Sequence, residues 1–227
     1  AQESRGLGDV YKRQIFALLP SYLERSGSSL VWMVERLQAQ NRARGGFFLY
    51  DHDKLTQELQ KAAQNGEKIL LIGVAFALLD YAEYLETHGI RLTLPADAVV
   101  METGGMKGRR REISREEMHM TLCRAFGVGA IHSEYGMTEL LSQAYSAGEG
   151  LFRCPPWMRV RTRDLQSPLV ALPACETGGI DIIDLANRYS CAFIQTQDIG
   201  RVFDDGSFEI EGRIDRSDIR GCNLLVQ

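Results

Sequence analysis

Up to about Gly150, apolar residues fall either at helical spacing or in short unbroken runs; beyond it they mostly alternate with polar ones. Between Ser28 and Gln40, the residues Leu30, Val31, Val34 and Leu37 share one helical face. Gly45-Gly46 ends that helix, and Phe47-Phe48-Leu49-Tyr50 predicts a short strand. Asp53 is placed to cap a second helix reaching Asn65, with Leu55 and Leu59 inward. Lys68 to Val74 predicts a buried strand, followed by a helix from about Ala75 to His88. Ala98 to Glu102 predicts another buried strand, opening into Thr103-Gly104-Gly105. Ser114-Arg115-Glu116-Glu117 has capping-box spacing for a helix reaching about Phe126, and Ala130 to Ser133 predicts a further short strand. Strands alternating with helices indicate an α/β unit with a mostly parallel sheet and flanking helices.

After about Gly150, prolines cluster at Pro155-Pro156, Pro168 and Pro173. Short strands follow at Met158 to Arg163, Gly179 to Asp184, Ala192 to Gln195 and Ser207 to Gly212. Asp204-Asp205-Gly206 marks a hairpin turn. The expected organisation is an α/β unit over residues 15–150 and a smaller β-rich subdomain over residues 151–227. Both ends read as cut. Ala1 to Gln14 is polar and aperiodic, without an initial Met, and is set aside as non-native or disordered. Leu224-Leu225-Val226 reads as a final strand.

Composition narrows the function classes. The chain has 227 residues, 44% hydrophobic and 25% charged, enough for one substantial core or two smaller ones and too hydrophobic for disorder. A net charge of -4 argues against a general nucleic-acid binder. The basic run Lys107-Gly108-Arg109-Arg110-Arg111 reads as a solvated turn or helix start, or else as a phosphate-contacting patch. The apolar stretch Ile69 to Leu79 falls short of the ~20 residues a membrane span needs, and no signal peptide is evident. The five cysteines, Cys123, Cys154, Cys175, Cys191 and Cys222, are scattered and form no CxxC pair. They indicate neither zinc nor a disulfide framework, so a reducing cytoplasm is the expected compartment.

The candidate chemistry gathers at strand ends, where ligands bind in open parallel sheets. His132-Ser133-Glu134-Tyr135-Gly136-Met137-Thr138-Glu139 offers a ring to stack on a base, a hydroxyl for a phosphate oxygen and a carboxylate for Mg²⁺. It reads equally as a strand end followed by a helix that Thr138-Glu139 opens ahead of Leu140-Leu141. Gly104-Gly105 allows close backbone approach to a ligand, or is an ordinary loop. Asp198, in Thr196-Gln197-Asp198-Ile199-Gly200-Arg201, can accept two ribose hydroxyls, or serves as a turn aspartate ending a strand. Gly212 to Gly221 packs charges between glycines, as a hinge beside an anion or as a solvated loop.

The order and spacing of these four clusters resemble the adenylate-forming superfamily of acyl-CoA synthetases, peptide-synthetase adenylation domains and luciferases. Within it the chain is most similar to acyl-protein synthetases of the LuxE type, related to phenylacetate-CoA ligases. That narrower resemblance lies in Met101-Glu102-Thr103-Gly104-Gly105-Met106-Lys107-Gly108-Arg109, Phe152-Arg153-Cys154-Pro155-Pro156-Trp157 and Asp218-Ile219-Arg220-Gly221-Cys222-Asn223-Leu224. It implies a truncated form of the superfamily's large N-terminal domain, with ATP and Mg²⁺ as cofactors and a carboxylic acid, expected to be a fatty acid, as substrate. It implies that Tyr135 and Gly136 belong to the adenine-stacking motif, Gly104 and Gly105 shape the pocket, and Thr138 touches the α-phosphate. Glu139 is implied as the Mg²⁺ ligand, Asp198 as the ribose acceptor and Arg213 as its neighbour at ribose or phosphate. His132 would line the acyl site or be a hydrogen-bonded strand-end histidine. Cys222 would take the acyl group and hand it to a reductase partner, or be a small buried residue in a final strand.

Two departures bear on activity. The superfamily's Ser/Thr/Gly-rich phosphate loop with its lysine has no counterpart here. Ser26-Gly27-Ser28-Ser29 comes nearest, but it lacks the lysine and opens a helix. The loop is expected upstream, which would leave this piece weakly active or inactive. The superfamily's C-terminal lid domain has no counterpart in this sequence either, an absence that the resemblance to the short LuxE-type chains leads one to expect. An AMP-forming acyl-CoA ligase and a non-catalytic module retaining the fold are the alternative readings.

Overall fold

A computed structural model describes residues 13–19, 28–41, 45–104, 111 and 113–214. Contacts divide the chain into two units. One comprises residues up to Tyr135 with Ser146–Glu149, the other Gly136–Tyr145 with residues from Gly150 onward.

The first unit alternates strand and helix: β1 (Gln14–Leu18), α1 (Ser29–Asn41), β2 (Gly45–Phe47), α2 (His52–Gln64), β3 (Ile69–Val74), α3 (Ala75–Thr87), β4 (Val99–Thr103), α4 (Arg115–Phe126) and β5 (His132–Tyr135). These strands pair in the order β2-β1-β3-β4-β5, every pair parallel, so their carboxyl ends share one edge. All six residues of β3 are buried, as its apolar run requires. The chain turns from β3 straight into α3 because Gly73 lacks a side chain; a carbon there would lie 2.9 Å from Leu78 Cγ. Tyr81 of α3 is fully buried, with its hydroxyl 2.9 Å from Thr56 Oγ1 and its ring stacked on Phe126. Ser114 Oγ accepts from Glu117 N–H at 3.1 Å, the cap that its spacing predicts, and Gly127 closes α4 in the left-handed conformation.

Several elements differ from the sequence expectation. Strand β2 takes in Gly45-Gly46, and residues 49–50 form a turn. Gly45 has φ 133°, and a side chain on it would collide with the Ile15 backbone, so glycine permits the pairing with β1. Asp51, not Asp53, caps α2, accepting from Lys54 N–H at 3.1 Å; Asp53 accepts from the Tyr84 hydroxyl at 2.5 Å. Strand β1 begins at Gln14, and the Arg13 guanidinium donates to the carbonyls of Ile69 and Asp97. Strand β5 starts two residues later than expected and carries Tyr135 inside it. No helix follows Thr138: residues 138–139 form a turn, and a short strand β6 (Ala144–Ser146) comes next.

The second unit contains β7 (Phe152–Arg153), β8 (Met158–Arg163), β9 (Thr177–Asp184), β10 (Phe193–Val202) and β11 (Phe208–Arg213). They pair antiparallel in the order β7-β11-β10-β9-β8. Arg163 ties three of them together from inside. Its guanidinium donates to Ile180 O, to Asp181 Oδ1 at 2.7 Å and to Thr196 O. Gly179 makes room for that group, since a side-chain carbon there would lie 2.7 Å from Arg163 Cζ. Strand β10 is longer than expected. The Thr196 to Arg201 cluster lies within it, with pairing register shifts after Gln195 and after Ile199. Bulges let a polar, irregular segment remain in a ladder while re-aiming its side chains.

Candidate functional site

In the first unit the candidate residues collect at the carboxyl ends of β4 and β5. Val74, Thr103 and Glu134 stand side by side across β3, β4 and β5. Glu102 and Thr103 are buried, and Gly104 follows them exposed at φ 65°, where a side chain is strained. Thr103 Oγ1 donates to Glu134 Oε2. Burial pushes the Glu134 carboxyl above the usual carboxylate range; the Thr103 hydrogen bond opposes the shift, and nearby Glu102 adds to it. His119 Nε2 lies 3.8 Å from Glu102 Oε1.

Alternation along β5 places His132 and Glu134 on one face, Ser133 and Tyr135 on the other. His132 and Tyr135 thus belong to opposite faces of their strand. Burial first, then the Arg13 guanidinium, lowers the His132 pKa, which keeps its imidazole neutral at pH 7. Ser133 is fully buried with an unpartnered Oγ, whereas Tyr135, at the strand end, is half-buried.

The motif continues in the second unit, where Gly136, Thr138 and Glu139 are exposed. The backbone behind their side chains is firmly held. Glu139 O accepts from Asn187 Nδ2 at 2.8 Å. Asp184, fully buried at the end of β9, accepts from Leu141 N–H and Ser142 N–H at 2.9 Å and from Ser142 Oγ at 2.7 Å. Trp157 Nε1 donates to the same Ser142 hydroxyl at 2.8 Å. Sequence reasoning missed Asp184 and Asn187; the available signal was an Asp-x-x-Asn turn directly after an apolar strand.

Asp198 sits at the β10 bulge, directly opposite Arg213 of β11, whose Nε lies 3.3 Å from Asp198 Oδ1. The Arg213 side chain is 75% exposed and that of Asp198 14%, so the cation stands in solvent while the carboxylate is largely covered. Asp198 N–H donates to Thr196 Oγ1, which fixes the bulge from below. Gly105, Cys222 and the hinge-like run beyond Ile214 lie outside the described residues, as do Lys107 to Arg110. Burial first, then the Asp184 carboxylate, pushes the Cys154 thiol up to about 12, which leaves it protonated and unreactive at neutral pH.

No cluster among the described residues could hold a metal ion by itself. Glu139 offers a single exposed hard oxygen donor. That donor set fits Mg²⁺, which combines one or two carboxylates with substrate phosphates. No helix among the described residues is long and apolar enough to cross a membrane.

Residues 43–227 match the family model for acyl-protein synthetase, LuxE. The chain belongs to the LuxE acyl-protein synthetase family. Its fold is that of the adenylate-forming superfamily. ATP-bound MatB from Rhodopseudomonas palustris matches with a TM-score of 0.60 at 17% identity, over 92% of this chain and 42% of that one. A long-chain-fatty-acid-CoA ligase from Archaeoglobus fulgidus matches at 0.62 and 13% identity, over 90% and 44%. Coronafacic acid ligase from Pectobacterium brasiliense matches at 0.59 and 15% identity, over 89% and 39%. This LuxE-family chain therefore spans well under half the length of those structures. No curated protein sequence matches it.

Proposed function

We propose that the protein activates a carboxylic acid with ATP and passes the acyl group to a protein thiol. One observation carries the reading: the LuxE match covers both Thr103-Gly104 and Tyr135, and those residues close adjacent strands of one parallel sheet. In the first step a carboxylate oxygen attacks the α-phosphorus, the bond to the β-phosphate oxygen breaks, and pyrophosphate leaves. Such chemistry asks for positioning and charge stabilisation more than for a protein nucleophile.

Tyr135 and Gly136 receive the adenine, and Gly104 and Gly105 let the backbone approach it. Asp198, with Arg213 beside it, accepts the ribose hydroxyls. Thr138 donates to the α-phosphate, and Glu139 would hold Mg²⁺, which would neutralise phosphate charge. The neutral imidazole of His132 lies near the acid. In the second step the Cys222 thiolate attacks the acyl carbon, the carbon–oxygen bond to phosphate breaks, and AMP leaves. A fatty acid is the substrate, a reductase takes the acyl group from Cys222, and the reducing cytoplasm keeps the thiol free.

The thiol step is tested with radiolabelled fatty acid and ATP, using protein made from the native reading frame. Wild-type protein is expected to become covalently labelled, and Cys222→Ser to lose the label. Unchanged thioester formation on coenzyme A by Cys222→Ser would replace this reading with an acyl-CoA ligase.

A further inference from the structure

The motif's Thr138 and Glu139 lie on a turn, in no helix or strand. Backbone N–H and C=O groups in such a segment need partners outside regular structure. Two side chains of one turn supply them. Asn187 Nδ2 bonds the carbonyl of Glu139 itself, and Asp184 takes the N–H groups of Leu141 and Ser142 just beyond. Both side chains are oriented independently of these contacts. Ser190 Oγ donates to Asn187 Oδ1 at 3.1 Å, which turns the amide nitrogen toward Glu139. Asp184 Oδ1 also accepts from Ala186 N–H at 3.1 Å. Asp184 is a fully buried carboxylate, costly to desolvate unless several donors face it; four do. The result is a fixed backbone that presents exposed Thr138 and Glu139 side chains.

We propose that Asp184 and Asn187 are positioning residues that latch the Thr138–Glu139 turn so that Glu139 meets a divalent cation in one geometry. This rests on the assignment of Glu139 above. Holding a ligand-bearing backbone from a buried neighbour lowers the ordering cost of binding.

The test uses protein from the native reading frame and three variants, Asn187→Ala, Asp184→Asn and Glu139→Gln. Hydrogen exchange of the 138–143 backbone is read without any ligand. The Mg²⁺ midpoint of acid-dependent ATP–pyrophosphate exchange is read separately. Both latch variants are expected to speed local exchange about tenfold while β8 to β10 stay protected, and to raise the Mg²⁺ midpoint about tenfold. Unchanged exchange at 138–143 would overturn the latch whatever the enzyme does. Faster exchange with an unmoved midpoint, where Glu139→Gln does move it, would reduce Asp184 and Asn187 to structural residues. An unmoved midpoint in Glu139→Gln itself would overturn the metal assignment, and the positioning role with it.

Discussion

Glu134 is the most heavily loaded side chain of the β4–β5 edge, half-buried, bonded to Thr103 and near Glu102. Its folded pKa is raised above the unfolded value. The stability from its protonated form is therefore full at low pH and lost as pH rises through the folded pKa. Glutamine can accept the same hydrogen bond and does not ionise. Denaturant unfolding of Glu134→Gln is expected to show a stability advantage over wild type that widens from pH 5 to pH 8. A constant difference would mean that the carboxyl is not perturbed by burial. Tyr135 makes the clearest prediction about binding. Its replacement by Ala should weaken ATP binding by about 1–3 kcal/mol, roughly five- to 150-fold, if its ring carries a base stack. Calorimetric titration of the native-length protein reads this, and unchanged affinity would sink the adenine assignment. Tyr135 was singled out in the sequence because its neighbours resemble a recurrent motif. Asp184 and Asn187 were not, because their partners lie more than 40 residues away in the chain, from Glu139 at 48 residues to Ser142 at 42.

Elements followed periodicity wherever burial set the pattern. Strand β3 and helices α2 to α4 were legible because an unbroken apolar run or an amphipathic face leaves one solution. Elements set by backbone fit were not. Gly45 looked like a helix stop, yet its missing side chain is what lets β2 approach β1. Thr138-Glu139 looked like a helix start, yet distant partners hold it as a turn. The polar run in β10 looked like a strand end because bulges interrupt its alternation. Gly200 tests this account of β10. A side-chain carbon there collides with the Glu209 carbonyl, so Gly200→Ala is expected to cost about 3 kcal/mol in denaturant unfolding. A neutral effect would show that the β10–β11 ladder yields easily. Ser114→Ala, which removes only a cap, should cost about 1 kcal/mol by the same measurement.

For the molecule as a whole, the α/β class was legible from the strand–helix alternation, and the LuxE family from the three phrases that carry its narrower resemblance. What the chain can do alone is a separate matter, because it spans 42% of MatB. The proposed acid activation is to be measured on protein from the native reading frame, and there the central claim is directly testable. Acid-dependent ATP–pyrophosphate exchange reports formation of the acyl-adenylate without requiring any acceptor thiol. Exchange that appears with fatty acid, persists in Cys222→Ser and demands a higher Mg²⁺ concentration in Glu139→Gln is the predicted result. Absence of acid-dependent exchange from folded, native-length protein would contradict the account.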